Sequence, residues 1–92
     1  MICEWNIDKS LSNLDKHGLD FETASLVFND EYRIEIFDKK HSSDEDRYIT
    51  IGMIGDVLAV VFVVYTERGE HIRLISARYA NKKERGIYFS GR

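Results

Sequence analysis

Residues 57–65, VLAVVFVVY, form the longest apolar run in the chain. A membrane span needs roughly 18 such residues, so this run is the size of a strand. Its valines and its Phe and Tyr favour extended backbone, and neither face carries a charge. A strand that is apolar on both faces belongs in the middle of a sheet with cover on both sides. The rest of the chain therefore has to supply neighbouring strands and packing helices.

The flanking residues read accordingly. Ile2 to Trp5 is a short apolar segment and predicts a first strand. Asp8 is placed to cap a helix, with Ile7 as a staple before it, Leu11 and Leu14 as its buried stripe, and Gly18 ending it. Asp20 caps a second helix carrying Phe21, Ala24, Leu26, Val27 and Phe28. Tyr32 to Asp38 alternates as a half-buried strand, and residues 38–46, DKKHSSDED, are unpatterned and expected to be a mobile loop. Arg47 to Ile54 is a strand, Gly55-Asp56 a glycine-first hairpin turn, and Val57 to Glu67 the central strand. Arg68-Gly69 turns the chain into a strand from Glu70 to Ala77. Asn81 and Glu84 form a capping box that opens a last helix.

The order is β-α-α-β-β-β-β-α, which predicts an α+β fold: an antiparallel meander with helices packed against it. Two-residue hairpins would put Ile49, Ile51, Leu58, Val60, Phe62, Val64 and Ile75 under the two N-terminal helices. The opposite face would then carry Tyr65, Glu67, Ser76 and Arg78, and serve as a binding floor. A slip of one residue would exchange the faces.

At 92 residues the chain is the size of one domain, 1–92. The single Cys3 excludes an internal disulfide, and no basic-then-apolar leader is visible at the N-terminus, so a cytoplasmic protein is expected. Net charge is −3, which argues against indiscriminate coating of nucleic acid. Its distribution is uneven. Residues 1–65 hold six Lys and Arg against thirteen Asp and Glu, whereas residues 66–92 hold seven against three. The C-terminal part can thus present a local basic patch on an acidic body. Glu67, Arg68, His71, Arg73, Arg78 and Lys82 crowd the ends of the last strands. A carboxylate, an imidazole and several guanidiniums at one rim suit work on a phosphate, although ordinary rim charges would look the same.

The pattern Cys3-Glu4-Trp5-Asn6-x-x-Lys9, then Asn13-x-x-Lys16-His17-Gly18-Leu19 and Phe21-Glu22-x-Ala24, resembles the N-terminal half of the BrnT family. Glu45-x-Arg47, Ile51-Gly52, Tyr65-Thr66-Glu67-Arg68-Gly69 and Ile72-Arg73-x-Ile75-Ser76-Ala77-Arg78 continue the resemblance, with Ala80, Glu84-Arg85 and Tyr88 closing it. Family members usually have Phe at the position of Cys3, Asp at Asn6, Lys at Tyr79 and Thr at Asn81. The resemblance implies a RelE-like fold and a ribonuclease toxin of a type II toxin–antitoxin pair. It also implies neutralisation by a BrnA-type antitoxin, a ribbon-helix-helix protein that would link the complex to DNA only indirectly.

Metal-free RNA cleavage needs a 2′-hydroxyl deprotonated, the phosphorane charge stabilised and the leaving oxygen protonated. On that reading Arg73 and Arg78, with Arg68, hold the phosphate. The plainer alternative makes Arg78 the partner of Glu84. Glu67 is the candidate base, against a role as ion-pair partner of Arg68 or Arg73. His17 is the candidate acid and His71 a weaker one. Lys16, Arg47, Lys82 and Arg85 would contact RNA along the backbone, and Tyr65 would stack a base or donate a proton. No metal and no cofactor are expected: His41 and its acidic neighbours lack convergent ligand spacing and read as a solvated loop. A catalytically inactive homologue acting with a DNA-binding antitoxin is the competing function.

Overall fold

The computed structural model describes residues 2–55 and 59–90. Strand β1 (Ile2–Glu4) leads into helix α1 (Ile7–His17) and the short helix α2 (Phe21–Ala24), which runs on as a 3-10 turn over Ser25–Asn29. Strands β2 (Ile34–Phe37), β3 (Arg47–Ile54), β4 (Ala59–Arg68) and β5 (His71–Tyr79) follow, and helix α3 (Lys82–Ser90) ends the described chain. The element order is the expected one. The sheet order is β1-β5-β4-β3-β2, so the apolar β4 is central. Strands β2 to β5 form the antiparallel meander, and β1 adds to β5 in parallel, which makes the sheet mixed.

Local chemistry explains the helix ends. Asn6, not Asp8, caps α1: its Oδ1 accepts from the backbone N–H groups of Asp8 at 2.9 Å and Lys9 at 3.1 Å. Ile7 is consequently the first helical residue rather than a staple. Gly18 closes α1 in the left-handed region, with φ 71. Asp20 caps α2 through Thr23 N at 2.6 Å. Asn81 and Glu84 form the expected reciprocal box on α3, at 3.0 and 2.9 Å.

The strand registers differ from the expected ones at both hairpins. The β4–β5 turn sits on Gly69 and Glu70, because Arg68 pairs with His71 and Gly69 has φ 63. Ile54 pairs with Ala59, and the expected Gly55-Asp56 turn falls partly outside the described residues, as does Leu58. A shift of two residues leaves the facing intact. The decisive departure is a bulge in β5: Tyr65 pairs with Leu74 while Val64 pairs with Ser76, leaving Ile75 as the extra residue. Beyond it the parity of β5 reverses. Ser76 and Arg78 move to the face of Val64 and Phe62, and Ala77 takes their place opposite Val63.

That exchange corrects the assignment of the two faces. Freed of Ser76 and Arg78, the face of Val61, Val63, Tyr65, Ile72, Leu74 and Ala77 is almost wholly apolar. It is this face that α1 and α2 cover, with Leu19, Phe21, Ala24 and Val27 packed onto it. Among the described residues the opposite face is covered at one end, where Ala80 and the α3 residue Tyr88 pack with Ile51 and Val60. Burying a side chain the size of Phe21 is worth about 2–3 kcal/mol, which suffices to select the apolar face.

Both partly paired sheet edges are finished by side chains. Past the end of β1, the Asn13 amide donates to Ala77 O at 2.7 Å and accepts from Ala77 N at 3.3 Å, as a strand would. Past the end of β2, Asp30 accepts from Met53 N at 2.8 Å and from the Tyr88 hydroxyl at 2.6 Å, which ties α3 to the sheet edge. Gly52 makes the second junction possible. A Cβ there would lie 2.9 Å from both Val27 Cγ2 and Arg33 Cβ.

Leu11 and Leu14 were expected to be the buried stripe of α1 and are not. The buried positions are Ser10 and Asn13, while Ile7, Leu11 and Leu14 face solvent. Hydrogen bonding decides this. Ser10 Oγ accepts from Phe21 N at 2.9 Å, and Asn13 also donates to Leu19 O at 2.7 Å, so the polar face is the one with partners inside.

Candidate nucleic-acid interface

The sheet face that α3 leaves open carries the cations in rows. Arg47, Thr66 and Arg73 are cross-strand partners on β3, β4 and β5, and Glu4 of β1 completes the row. Arg68 and His71 pair one row further out. Phe62 and Arg78 pair on the inner side, with the Arg78 guanidinium 4.1 Å from the Phe62 ring centre. Between these rows lies a groove of about 290 Å³, lined by Ile49, Phe62, Val64, Ile75, Ser76, Arg47, Asp38 and His41.

Most of these cations have carboxylate neighbours. Arg78 makes a bidentate pair with Glu84, at 2.7 and 2.8 Å. The Arg78 hydrogen bonds hold the Glu84 carboxyl below its usual range against the opposing effect of burial, and the Arg78 guanidinium is pushed up in turn by Glu84. Arg68 lies 3.5 Å from Glu45, His71 3.6 Å from Glu4, and Arg73 4.0 Å from Glu4. Arg47 has no ion pair among the described residues, and it stands on the groove rim. Thr66, in the same row, is 1% exposed, and its hydroxyl has no hydrogen-bond partner among the described residues.

Residues 38–46, expected to be unpatterned, are in part built. Lys39–His41 forms a 3-10 turn, and Ser42 Oγ donates to Asp38 O at 2.6 Å and accepts from Arg47 N at 2.9 Å. This clasp brings His41 to the groove. Its Nδ1 lies 2.9 Å from Asp38 Oδ2, which orients the ring and keeps Nε2 out of that contact. Sequence reasoning read His41 and its acidic neighbours as a solvated loop and gave the pair no role at the site. The signal was the Asp38-x-x-His41 spacing directly before a strand that opens with Arg47, where one tight turn suffices to join them.

A second cleft, on the far side of the bulge, is lined by Lys9, Ser12, Asn13, Lys16 and His17 of α1 together with Ile75 and Ser76. The two clefts share Ile75 and Ser76. Lys16 and His17 therefore approach the arginine-bearing face across the bulge, rather than from within it.

Glu67 and Tyr65 do not join this arrangement. Glu67 pairs with Ile72 on the face covered by α1 and α2, so the sheet separates it from Arg73 and Arg78. Tyr65 is fully buried, with its hydroxyl donating to Glu35, and has no ring face to stack on a base. Burial first, then the Glu35 hydrogen bond and charge, raise its phenol above the usual range. Lys82 and Arg85 belong to α3, where Arg85 Nη1 donates to Ala80 O at 2.9 Å. Among the described residues no three His, Cys, Asp or Glu side chains gather as metal ligands do, and no helix is long and apolar enough to cross a membrane.

A mixed sheet sealed on one face by helices and set with arginines around a groove on the other defines a small α+β protein with a floor suited to a polyanion. Comparison with known families is more specific. Residues 5–84 match the family described as ribonuclease toxin, BrnT, of type II toxin-antitoxin system, and the chain belongs to the BrnT family. Comparison with curated proteins finds no match. Membership carries with it ribonuclease activity and an antitoxin partner as the family's description gives them.

Proposed function

We propose that the open sheet face is the site of a metal-independent endoribonuclease that acts in the cytoplasm to inhibit translation and growth, and that a BrnA-type ribbon-helix-helix antitoxin neutralises it. One observation carries the reading: Arg47, Arg73 and Arg78 share a face around a groove that also holds an Asp-oriented imidazole. The aliphatic floor with Phe62 takes a base or ribose, and the guanidiniums take the phosphate.

In this scheme Arg47 and Arg73 hold the non-bridging oxygens as charge builds on the phosphorane. His41 accepts the 2′-hydroxyl proton, and the oxygen attacks phosphorus. His17, beside Lys16, protonates the departing 5′ oxygen, leaving a 2′,3′-cyclic phosphate and a 5′-hydroxyl. Glu67 is not assigned the base, because it lies across the sheet from the arginines. Arg78 contributes through its Glu84-paired guanidinium, with less net charge than an unpaired one. Arg68 and His71 extend the track for the RNA backbone.

A second reading rests on the ion pairs. Arg68, Arg73 and Arg78 each have a carboxylate within 4.0 Å, as in a homologue that binds its antitoxin without cleaving RNA. Purified chain, freed of antitoxin and given RNA with a chelator present, separates the two. Cleavage by the wild type, falling about 10²- to 10³-fold in Arg47→Ala and Arg73→Ala variants that still fold, is expected. An inert wild type would leave the binding-module reading.

A further inference from the structure

Helix α1 presents its aliphatic side chains outward. Ile7, Leu11 and Leu14, at i, i+4 and i+7, are 65%, 59% and 44% exposed, while the inward positions are the hydrogen-bonded Ser10 and Asn13. A helix with polar residues satisfied inside and a row of large aliphatics outside exposes surface that a monomer gains nothing by exposing. The row is one ridge about 10 Å long, the shape that fits the groove of a second helix.

Charge narrows the occupant. On the helical wheel Asp8 and Asp15, seven residues apart, border the ridge beside Leu11, and both are exposed without an ion pair among the described residues. Lys9 and Lys16 are turned away, into the cleft over Ile75 and Ser76. The ridge is therefore aliphatic with an acidic margin. An RNA strand would meet repulsion there and no aromatic surface. A second copy docked two-fold would bring the same acidic margins together. An amphipathic helix with aliphatic residues on one side and lysines or arginines beside them satisfies both features.

We infer that the Ile7–Leu11–Leu14 ridge of α1 is the docking surface for a basic amphipathic helix of the antitoxin, on a face distinct from the arginine-bearing groove. The inference rests on the toxin reading above for the existence of that partner. It deepens that reading by placing the partner's grip away from the RNA floor.

The test measures affinity and activity separately. Calorimetry of a purified BrnA-type antitoxin against wild type, the Leu11→Glu/Leu14→Glu variant and the Asp8→Lys/Asp15→Lys variant reads the surface directly. All substituted residues are exposed, and circular dichroism checks that both variants fold. The leucine variant is expected to bind at least about tenfold more weakly, and the charge-reversed one several-fold more weakly with slower association. RNA cleavage without antitoxin should match wild type in both. Unchanged affinity in the leucine variant would overturn the inference. So would a loss confined to self-association of the chain, seen by sedimentation. Should the ridge prove to bind antitoxin while the wild type fails to cleave RNA, docking stands and the nuclease reading falls. The reverse result separates them the other way.

Discussion

Arg73 and Arg78 lie on the same face of the sheet although they are five positions apart on one strand. In a regular strand an odd separation places two side chains on opposite faces. The extra residue Ile75 between them reverses the alternation, so that Arg73 stands opposite Thr66 and Arg78 opposite Phe62. The same bulge gives Ile75 and Ser76 to both clefts. Straightening β5 without removing a residue would turn Arg78 to the helix-covered face, among the apolar side chains of Val61, Val63 and Ala77.

The Arg78–Glu84 pair makes a pH-dependent contribution to stability. The native Glu84 carboxyl titrates below its ordinary value of 4.5, so the contribution is present above that value and disappears as pH falls through the native one. Because the Arg78 side chain is 37% exposed, solvent screening limits the effect to about 1 kcal/mol. Urea midpoints should show Glu84→Gln less stable than wild type at neutral pH, with the gap closing as pH falls below the native carboxyl's titration. A gap of equal size at both would mean that the loss comes from packing.

The two imidazoles can be separated by their pH–rate profiles. His41→Gln is expected to lower kcat by about 10²-fold or more and to remove one ionisation from the profile. Asp38→Asn should lower kcat less while leaving KM near wild type, because it acts by orienting His41. A profile unchanged in His41→Gln but altered in His17→Gln would move the base to α1.

Gly52→Ala should destabilise the fold by about 1–3 kcal/mol, since its Cβ would fall 2.9 Å from Val27 and from the Arg33 Cβ. Thermal unfolding measures it. Wild-type stability in this variant would show that the 3-10 turn over Ser25–Asn29 can retreat from β3 at no cost.

Thr66→Val should stabilise by about 1 kcal/mol. The substitution keeps the side-chain shape and removes a buried hydroxyl that has no partner among the described residues. Chemical denaturation is the measurement, and a loss of stability would mean that the hydroxyl is bonded in solution.

Much of the fold is legible in the residues themselves. The apolar run, whose residues 59–65 lie in β4, reads as a central strand, Gly18 could only end α1 cheaply, and Asn81 with Glu84 announces α3. The element order follows from such local signals. Misreadings arose where two local signals competed. Leu11 and Leu14 carry the hydrophobicity of α1, yet Asn13 and Ser10 have backbone partners waiting on β5 and α2 and turn inward instead. Asn6 and Asp8 are both capping residues, and nothing local ranks one above the other.

The candidate site was readable as a set of residue types and not as a place. Arginines with an imidazole in the last third of the chain were evident from composition, as was the alternative pairing of Arg78 with Glu84. Which of them share a surface was hidden. Glu67 and Arg68 are neighbours in the chain and belong to opposite faces, whereas Arg47 and Arg73 are distant in sequence and stand in one row.

The sequence by itself determined the α+β order, the central strand and the helix ends marked by Gly18, Asp20 and Asn81, because each depends on contacts within a few residues. The tertiary structure alone decided the bulge, the covered face and the gathering of Arg47, Arg73 and His41. Those depend on hydrogen-bond register between strands, where an offset of one residue costs little locally but carries every later side chain to the other side of the sheet.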